Sequence, residues 1–411
     1  MKILAISATF PYPPSRGGTQ VRTFNLLKAL SQRHEITLAT QRSADVTEDE
    51  IEGLRQWVAD LWVFARPPAV ATGTWEKLKR FGRFAVEGTP PSVVSYQIPQ
   101  MQAAIDRAIA SRTFDALTCE HSANEIFVRP QWRQHLRTVV NIHSSVYGTC
   151  RQQVATGTAE NPGRDRLYLP LLYRYERRYI QKFSQLVVTT EEDRQQLQEF
   201  SPDSRVEVIP NGVDLNLFPP RKIDPGGHHL IFVGAMDNIA NIDAVCFLAR
   251  SIFPAIRQRY PQATLALVGA NPVAEVTQLG QLPGVTVTGR VPSMVEYLQQ
   301  ATVCVLSMRI GYGIKNKTLE AMAAGTPVVG SDRALEGLAV ESPLRALRAN
   351  TVEEYVEAIS RLLENPQLRS QLSQNGRSFV ESEYTWERAG RQYEEAVSIG
   401  RSPYSSNQPN S

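Results

Sequence analysis

Cysteine is scarce in this sequence, and no two cysteines are spaced as a C-x-x-C pair. The 411 residues contain four cysteines: Cys119, Cys150, Cys246 and Cys304. Cys119 and Cys304 lie inside apolar runs, so we expect buried free thiols, as in proteins of a reducing compartment. A disulfide-stapled scaffold is therefore not indicated.

Long apolar runs are also lacking. The N-terminal run in MKILAISATFPYPPS is short and ends in prolines, so it predicts a first strand rather than a secretion signal. No uninterrupted apolar stretch approaches the roughly 18 residues that cross a bilayer. We expect a cytoplasmic chain with a polar, disordered tail over 401–411.

An excess of charge and several cofactor motifs are missing as well. The net charge of +3, from 44 basic and 41 acidic residues, suits a phosphate-bearing ligand but is too small to indicate nucleic acid. No G-x-G-x-x-G motif follows Ile6 or Phe232, which disfavours a dinucleotide dehydrogenase. No D-x-D motif or cluster of metal ligands is present, so we predict neither a metal nor another cofactor.

What the sequence does contain is a repeated alternation of short apolar runs and helical patterns. The runs are nearly continuous, as in parallel strands that helices cover on both faces. This alternation predicts an α/β fold of two doubly wound, Rossmann-like domains. The predicted strands are 2–7, 35–40, 61–65, 115–119, 138–142, 185–190, 206–210, 230–235, 264–269, 285–289, 302–307 and 327–330.

A break in this periodicity separates the two predicted domains. The segment LFPPRKIDPGGHH at 217–229 gathers prolines, paired glycines and polar residues, which is typical of a linker. We therefore predict an N-terminal domain over 1–216 and a C-terminal domain over 230–383. Ligands bind at the carboxyl ends of strands in such sheets, so we expect the site in a cleft between the domains.

The segment RIGYGIKNKTLEAMAAGTPVVGSD at 309–332 has the strongest signal for ligand binding. Its glycines permit a close backbone approach, and the helix that follows opens with free N–H groups that bind phosphates. Lysines at a helix N-terminus oppose the helix dipole, so they indicate a bound anion such as a diphosphate. A solvated basic loop is the alternative. The predicted diphosphate-binding residues here are Arg309, Gly313, Lys315 and Lys317.

Glu320 is the acidic residue of this otherwise apolar helix. A carboxylate in such a setting needs partners, and two adjacent ribose hydroxyls would supply them. The alternative is an ion pair with Lys317 one turn earlier, and both can hold at once.

Together these segments resemble the family-4 glycosyltransferases of the GT-B fold. The similar segments are PYPPSRGGTQVRTFNLLKAL, NIHSS and VIPNGVD in the first half, and FVGAMDNIANIDAVCFL, IFPAIRQRYPQATLALVGANP, GVTVTGRVPSMVEYLQQATVCVLSM and the 309–332 segment in the second. YTWERAGRQYEEAV at 384–397 resembles a closing helix, so the span 384–400 is expected to return to the first domain. The likeness runs through nearly the whole chain in order.

The resemblance implies roles only where residues match. Glu320 resembles the glutamate that holds the donor ribose, and His143 the histidine near the transferred sugar. Gly17 and Gly18 resemble the loop against the donor phosphates, and Arg290 with Val291 the backbone that reads the base. For His143 the alternative is a core histidine that the backbone satisfies.

Two departures from the family pattern bear on the donor site. Many members carry a second glutamate ahead of this helix, where Ile310 and Gly311 stand here. Many also carry an arginine and a lysine after the first strand of the second domain. Here Ala235 and Met236 follow Gly234, and Asn241 lies near the lysine position. We infer that Arg309, Lys315 or Lys317 takes over the diphosphate.

The resulting hypothesis is a glycosyltransferase that moves a sugar from a UDP- or GDP-sugar to a glycan or lipid-linked acceptor. The resemblance implies retention of configuration, and the missing D-x-D motif favours metal-independent transfer. A nucleotide-sugar epimerase of similar fold would need further acid–base residues in the cleft. A non-catalytic nucleotide-sugar binder is disfavoured by the presence of both His143 and Glu320.

The helix predicted over 75–88 suggests peripheral contact with an anionic membrane. A surface helix packed on its own domain is the alternative, and it is the one that the pattern favours. The predicted apolar face comprises Trp75, Leu78, Phe81 and Ala85, and the basic residues around it are Lys77, Lys79, Arg80 and Arg83.

Overall fold

The computed structural model describes residues 1–14, 17–66, 74–157, 159, 161–311 and 313–398; the side chains of 74–78 and 156 are not among them. The tail predicted over 401–411 lies outside these residues. The chain divides into two compact units. The first comprises Met1–Pro210 together with the chain from Ala389 onward, and the second comprises Asn211–Arg388.

Parallel strands form the centre of the first unit. The strands are β1 Lys2–Ser7, β2 Glu35–Arg42, β3 Asp60–Ala65, β4 Ala116–Glu120, β5 Arg137–Asn141, β6 Gln185–Val188 and β7 Val206–Val208. They pair in the order β3-β2-β1-β4-β5-β6-β7. In the central strand β1, Ile3, Leu4 and Ile6 are fully buried because helices cover both faces of the sheet.

Helices surround this sheet, and short 3₁₀ turns at 122–127, 130–134 and 180–182 lie beside its strands in the chain. The helices are α1 Gly18–Ser31, α2 Glu48–Arg55, α3 Thr74–Glu87, α4 Pro91–Val94, α5 Pro99–Ala110, α6 Val146–Thr156, α7 Pro162–Tyr179 and α8 Glu191–Phe200.

The second unit repeats this architecture on a smaller sheet. Its strands are β8 His229–Val233, β9 Thr264–Val268, β10 Val285–Gly289, β11 Val303–Leu306, β12 Val328–Gly330 and β13 Leu347–Arg348. They pair in parallel in the order β10-β9-β8-β11-β12-β13. The predicted doubly wound α/β fold is thus confirmed in each unit. The two-residue strand β13 was not predicted, because it is too short for a periodicity.

The helices of the second unit lie between these strands, and a last helix follows them. They are α9 Ile239–Phe247, α10 Phe253–Arg259, α11 Ala274–Leu279, α12 Met294–Gln300, α13 Asn316–Ala323, α14 Val352–Glu364, α15 Pro366–Glu383 and α16 Trp386–Ser398. A π-helical turn joins α9 to α10, so 239–259 is one continuous helical stretch. Among the described residues it is the one helix that is long and apolar enough to cross a membrane. Ala244, Leu248 and Ile252 are nevertheless buried in the unit's core.

The segment predicted as a linker, 217–229, packs on the second unit. The Arg221 amide donates to the Ala324 carbonyl at 2.9 Å, and its guanidinium donates to the Ala301 carbonyl at 3.0 Å. Asp224 forms an ion pair with Arg369 at 2.8 Å. The division between the units therefore falls earlier, between Pro210 and Asn211.

A buried polar network fastens the last helix to the first unit. Glu120, at the end of β4, is fully buried, and its carboxylate accepts from the Tyr393 hydroxyl of α16 at 2.6 Å. The Asn141 side-chain amide donates to the same carboxylate at 3.1 Å, and Arg22 of α1 donates from Nε to the Asn141 side-chain oxygen at 2.9 Å. Burial raises the pKa of Glu120, while its hydrogen bonds with Tyr393 and Asn141 oppose that shift. The network joins α1, β4, β5 and α16.

Removal of one hydroxyl tests how much this network contributes. We expect Tyr393→Phe to lower the free energy of unfolding by about 1.5–3 kcal/mol, because a buried charged acceptor loses its donor. Denaturant unfolding of the purified chain measures this loss. Tyr260→Phe is the matched control, since that hydroxyl bonds to the exposed Glu364 at the surface. Equal losses in the two variants would contradict the role given to the network.

Candidate active site

The loop between β11 and α13, together with α13 itself, carries most of the predicted donor-binding residues. Gly311 and Gly313 both adopt positive φ, 108° and 71°, a region that favours glycine, so the turns expected there are present. Helix α13 begins at Asn316, and no side chain caps its N-terminus. The Thr318 amide donates to the Lys315 carbonyl at 2.9 Å, whereas the Asn316 and Lys317 amides donate to no described residue and have the free N–H groups that bind anions.

Glu320 lies in the middle of α13 and is partly buried. No side chain or amide of the described residues donates a hydrogen bond to its carboxylate. Burial raises the pKa of Glu320 to about 7, and the nearby Lys317 opposes that shift. The two residues form no ion pair, because the Lys317 ammonium is directed elsewhere. The predicted ion-pair alternative is therefore not what the structure shows.

Lys317 reaches across to the loop after β8 and to helix α9, which follows that loop. Its Nζ donates to the Asn241 side-chain oxygen and lies 4.6 Å from the centroid of the Phe232 ring. The Asn241 amide group in turn donates to the Ala235 carbonyl at 2.7 Å. A Cβ on Gly234 would lie 2.8 Å from the Lys317 Nζ, so any other residue there would displace the ammonium from its present position. Burial lowers the pKa of Lys317 to about 7.

The other two predicted cations are each paired with a carboxylate. Arg309 holds Asp243 of α9 in a two-point ion pair, with Nε 2.9 Å from Oδ2. Its guanidinium also lies 4.8 Å from the Phe247 ring centroid. Lys315 forms an ion pair with Glu336 at 3.3 Å. The acceptor of Lys317, by contrast, is a neutral amide.

Arg290 and Val291 follow β10, the edge strand of the same sheet. Arg290 is exposed, and Val291 is partly buried. The second unit thus places Arg309, Gly313, Lys315, Lys317 and Glu320 together at the ends of β8 and β11. The predicted base-reading pair lies apart from them at the end of the edge strand.

The remaining predicted residues belong to the first unit. Gly18 begins α1, Gly17 is its N-cap, and no atom would lie within 4 Å of a Cβ on Gly18. Because the fold leaves that space open, it does not itself require a glycine at position 18. His143 follows β5, also at a carboxyl strand end.

His143 has a neighbour that the sequence did not identify. The ring of His121, which follows β4 directly, lies edge-to-face with that of His143 at 5.0 Å between centroids. Burial, then His121 and Arg22, hold the pKa of His143 well below its usual value, so its ring is neutral. Its Nε2 is shielded from solvent without a hydrogen-bond partner among the described residues. The available signal for His121 was its position two residues after the predicted strand 115–119.

Two family models match consecutive parts of the chain. The model described as Glycosyltransferase Family 4 matches residues 16–217, and the model described as Glycosyl transferases group 1 matches residues 227–365.

Two curated relatives are similar to the chain. One is a GDP-mannose-dependent α-(1-6)-phosphatidylinositol monomannoside mannosyltransferase of Mycolicibacterium smegmatis, 22% identical over 95% of this chain and 97% of the relative. The other is a D-inositol 3-phosphate glycosyltransferase of Nocardiopsis dassonvillei, 24% identical over 49% of this chain. That second match spans 52% of the relative's length.

Solved structures share the fold over the whole chain. Sucrose-phosphate synthase of Thermosynechococcus elongatus superposes with a TM-score of 0.71 at 20% identity, covering 96% of this chain and 97% of that one. HepE of Anabaena in complex with UDP-glucose gives a TM-score of 0.64 at 14% identity, covering 97% and 99%. The matched models and the shared fold lead to one conclusion: the chain belongs to the family-4 glycosyltransferases of the GT-B fold, enzymes that use a nucleotide-sugar donor.

Proposed function

We propose that this glycosyltransferase moves a sugar from a UDP- or GDP-sugar to a hydroxyl of a glycan or lipid-linked acceptor, with retention of configuration. The solved HepE structure contains UDP-glucose, and the mycobacterial relative is named for GDP-mannose. Both donors join a nucleoside to a sugar through a diphosphate. Retention is the outcome that the family resemblance implies.

The observation that carries the proposal is the unsatisfied carboxylate of Glu320. A partly buried carboxyl group without a donor is costly unless a ligand satisfies it. Two adjacent ribose hydroxyls supply two donors at the spacing of one carboxylate. Burial raises the pKa of Glu320 to about 7, and no hydrogen bond to its carboxylate from the described residues opposes that shift.

Lys317 is the residue that we assign to the diphosphate. Its ammonium contacts Gly234 and Asn241, and so lies near the position where many relatives carry a lysine on the first helix of this domain. Arg309 and Lys315 already have carboxylate partners, so they attract a second anion, such as the diphosphate, less strongly. They would contribute only after exchanging those partners.

For the other predicted residues, we propose the roles that the family resemblance implies. Gly17 and Gly18 leave space beside the phosphates, Gly313 allows the loop to approach them, and the backbone at Arg290 and Val291 reads the base. His143 contributes a neutral imidazole near the transferred sugar. As the sugar leaves, negative charge builds on the diphosphate, and Lys317 with the first-turn amides of α13 would stabilise it.

A lipid-linked acceptor remains a proposal, supported by the phosphatidylinositol derivative in the mycobacterial relative's name. The predicted membrane face of α3 needs correction, however. Phe81 stacks on Tyr168 of α7 at 5.6 Å between centroids instead of facing outward. Ala85 is exposed, and the side chains of Trp75, Lys77 and Leu78 lie outside the described residues. What supports membrane contact is the exposed surface of Lys79, Arg80 and Val86.

Replacement of the Glu320 carboxylate tests the donor site directly. We expect Glu320→Gln to weaken binding of a nucleotide sugar by about 1–3 kcal/mol, the scale of a lost hydrogen bond to a charged group. Titration calorimetry with UDP-glucose and GDP-mannose measures the loss. Glu357→Gln, an exposed position on α14, is the matched control and should change nothing. Unchanged donor affinity in Glu320→Gln would remove the ribose assignment.

Removing the Lys317 ammonium, and then restoring an ammonium from position 241, tests the role of Lys317. We expect Lys317→Ala to weaken UDP or GDP binding at least about tenfold while the affinity for the bare nucleoside stays the same, because only the diphosphate loses its partner. The double variant Asn241→Lys with Lys317→Asn should recover most of the affinity, since it returns the ammonium from the other helix. Arg309→Ala is the control with a smaller effect. Equal wild-type affinities for nucleoside and nucleoside diphosphate would disprove the assignment.

A plot of donor affinity against pH should be bell-shaped, with its maximum near pH 7. Binding needs Glu320 ionised and Lys317 protonated, and both pKa values lie at about 7 before the ligand binds. Below pH 7 the carboxyl must lose a proton, and above pH 7 the amine must gain one, so affinity falls by up to about tenfold per pH unit on either side. Calorimetry with UDP-glucose avoids the terminal phosphate of UDP, which titrates near about pH 6. Glu320→Gln should abolish the acidic fall and keep the alkaline one; a flat profile in wild type would contradict this linkage.

A further inference from the structure

His121 has a backbone conformation that its side chain disfavours. It follows β4 with φ of 96° and ψ of 136°. Arg112 and Asn271 are the other non-glycine residues with positive φ in the described chain, but their φ values of 53° and 56° are those of the left-handed helical region. His121 lies outside that region. Strained residues of this kind persist where the surrounding structure imposes them, commonly at functional sites.

Three hydrogen bonds impose the conformation of His121. Its amide donates to the Asn141 carbonyl of β5 at 3.0 Å, and its carbonyl accepts from the Asn124 amide at 3.0 Å. Its ring Nδ1 accepts from the Ala123 amide at 3.1 Å. An accepting Nδ1 carries no proton, and burial lowers the pKa of His121 to about 4, so the ring is neutral. Its hydrogen therefore lies on Nε2, and no described residue accepts from that nitrogen.

His143 adds a second unsatisfied imidazole to the first. The two rings meet at 5.0 Å and 68°, and the Nε2 of His143 is buried without a partner among the described residues. Each neutral imidazole offers one donor and one acceptor. The Nδ1 acceptor of His121 is already used by the Ala123 amide. The two strand ends therefore present two unused ring atoms side by side, the Nε2–H donor of His121 and the Nε2 of His143, at the edge of the sheet where ligands of this fold bind.

The chemistry of this pair favours an uncharged, polyhydroxylated ligand. A phosphate or carboxylate would be better matched by cationic imidazoles, but both rings are neutral. A metal ion would need further ligands, and no group of three or more His, Cys, Asp or Glu side chains gathers among the described residues. A sugar hydroxyl both donates and accepts, as a neutral imidazole does.

We propose that His121 is a substrate-binding residue that, together with His143, holds hydroxyl groups of a sugar at the strand ends of the first unit. The proposal rests on the proposed glycosyltransferase reaction and adds to it a residue whose strained backbone is retained for its imidazole. Such a residue should contribute to turnover without contributing to stability.

Substitution by glycine separates a binding role from a structural one. Glycine adopts positive φ freely, so His121→Gly should keep or raise the unfolding temperature even though one hydrogen bond to Ala123 is lost. It should lower kcat/KM at least about tenfold, the scale of one lost hydrogen bond to substrate. His121→Asn, which tolerates positive φ and keeps an acceptor for the Ala123 amide, should show the same loss of activity. Arg112→Gly is the matched control: it relieves strain in the same unit and should leave kcat/KM unchanged.

The measurements use the full chain with UDP-glucose and GDP-mannose as donor probes. A His121→Gly variant that is less stable than wild type but equally active when folded would overturn the proposal and leave the glycosyltransferase assignment intact. A wild-type chain that binds neither donor would instead overturn the proposed function.

If the wild-type chain binds neither donor, a second measurement that needs no nucleotide tests the sugar-binding role of His121. The imidazole ¹⁵N resonances of His121 should shift when glucose or mannose is added alone. Resonances that stay in place with both monosaccharides and both nucleotide sugars would overturn the proposal.

Discussion

The buried carboxylate of Glu120 is the constraint on which the first unit depends. A charge in a protein interior is tolerated only when its hydrogen bonds are satisfied, and here Tyr393 and Asn141 satisfy it, with Arg22 bonded to Asn141. The same Arg22 helps to keep His143 neutral. The network that docks the last helix therefore also sets the charge state of the candidate sugar site.

The second unit shows the opposite arrangement, in which ionisable groups are buried without charged partners. Glu320 lacks donors, and Lys317 bonds to a neutral amide, whereas Arg309 and Lys315 are compensated by Asp243 and Glu336. Burial without compensation destabilises the unit before any ligand binds, so a nucleotide sugar gains affinity by supplying the missing partners. In the sequence, Arg309, Lys315 and Lys317 are equivalent candidates for binding the diphosphate. The structure separates them, because Arg309 and Lys315 pair with carboxylates whereas Lys317 bonds to a neutral amide.

The sheet architecture was predictable because covered parallel strands are nearly continuously apolar, as the segments of β1 and β11 are. The donor loop was also predictable, since glycine turns and a helix start are local features. The partners of Lys317 and Arg309 were not, because Asn241 and Asp243 are distant in sequence and meet them only in the folded sheet. His121 was missed for the same reason: neither its positive φ nor its contact with His143 leaves a local pattern.

The position of Tyr393 has a consequence for synthesis on the ribosome. The strands of the first unit emerge early, but the hydroxyl that Glu120 requires lies beyond the whole of Asn211–Arg388. At about 5–20 residues per second, translation of that intervening segment takes roughly 10–35 s. During that interval the nascent first unit holds an incompletely satisfied carboxylate beside the surface that α16 later covers. The network of the first unit is thus completed only after α16 has been synthesised, not when the last strand of its sheet is made.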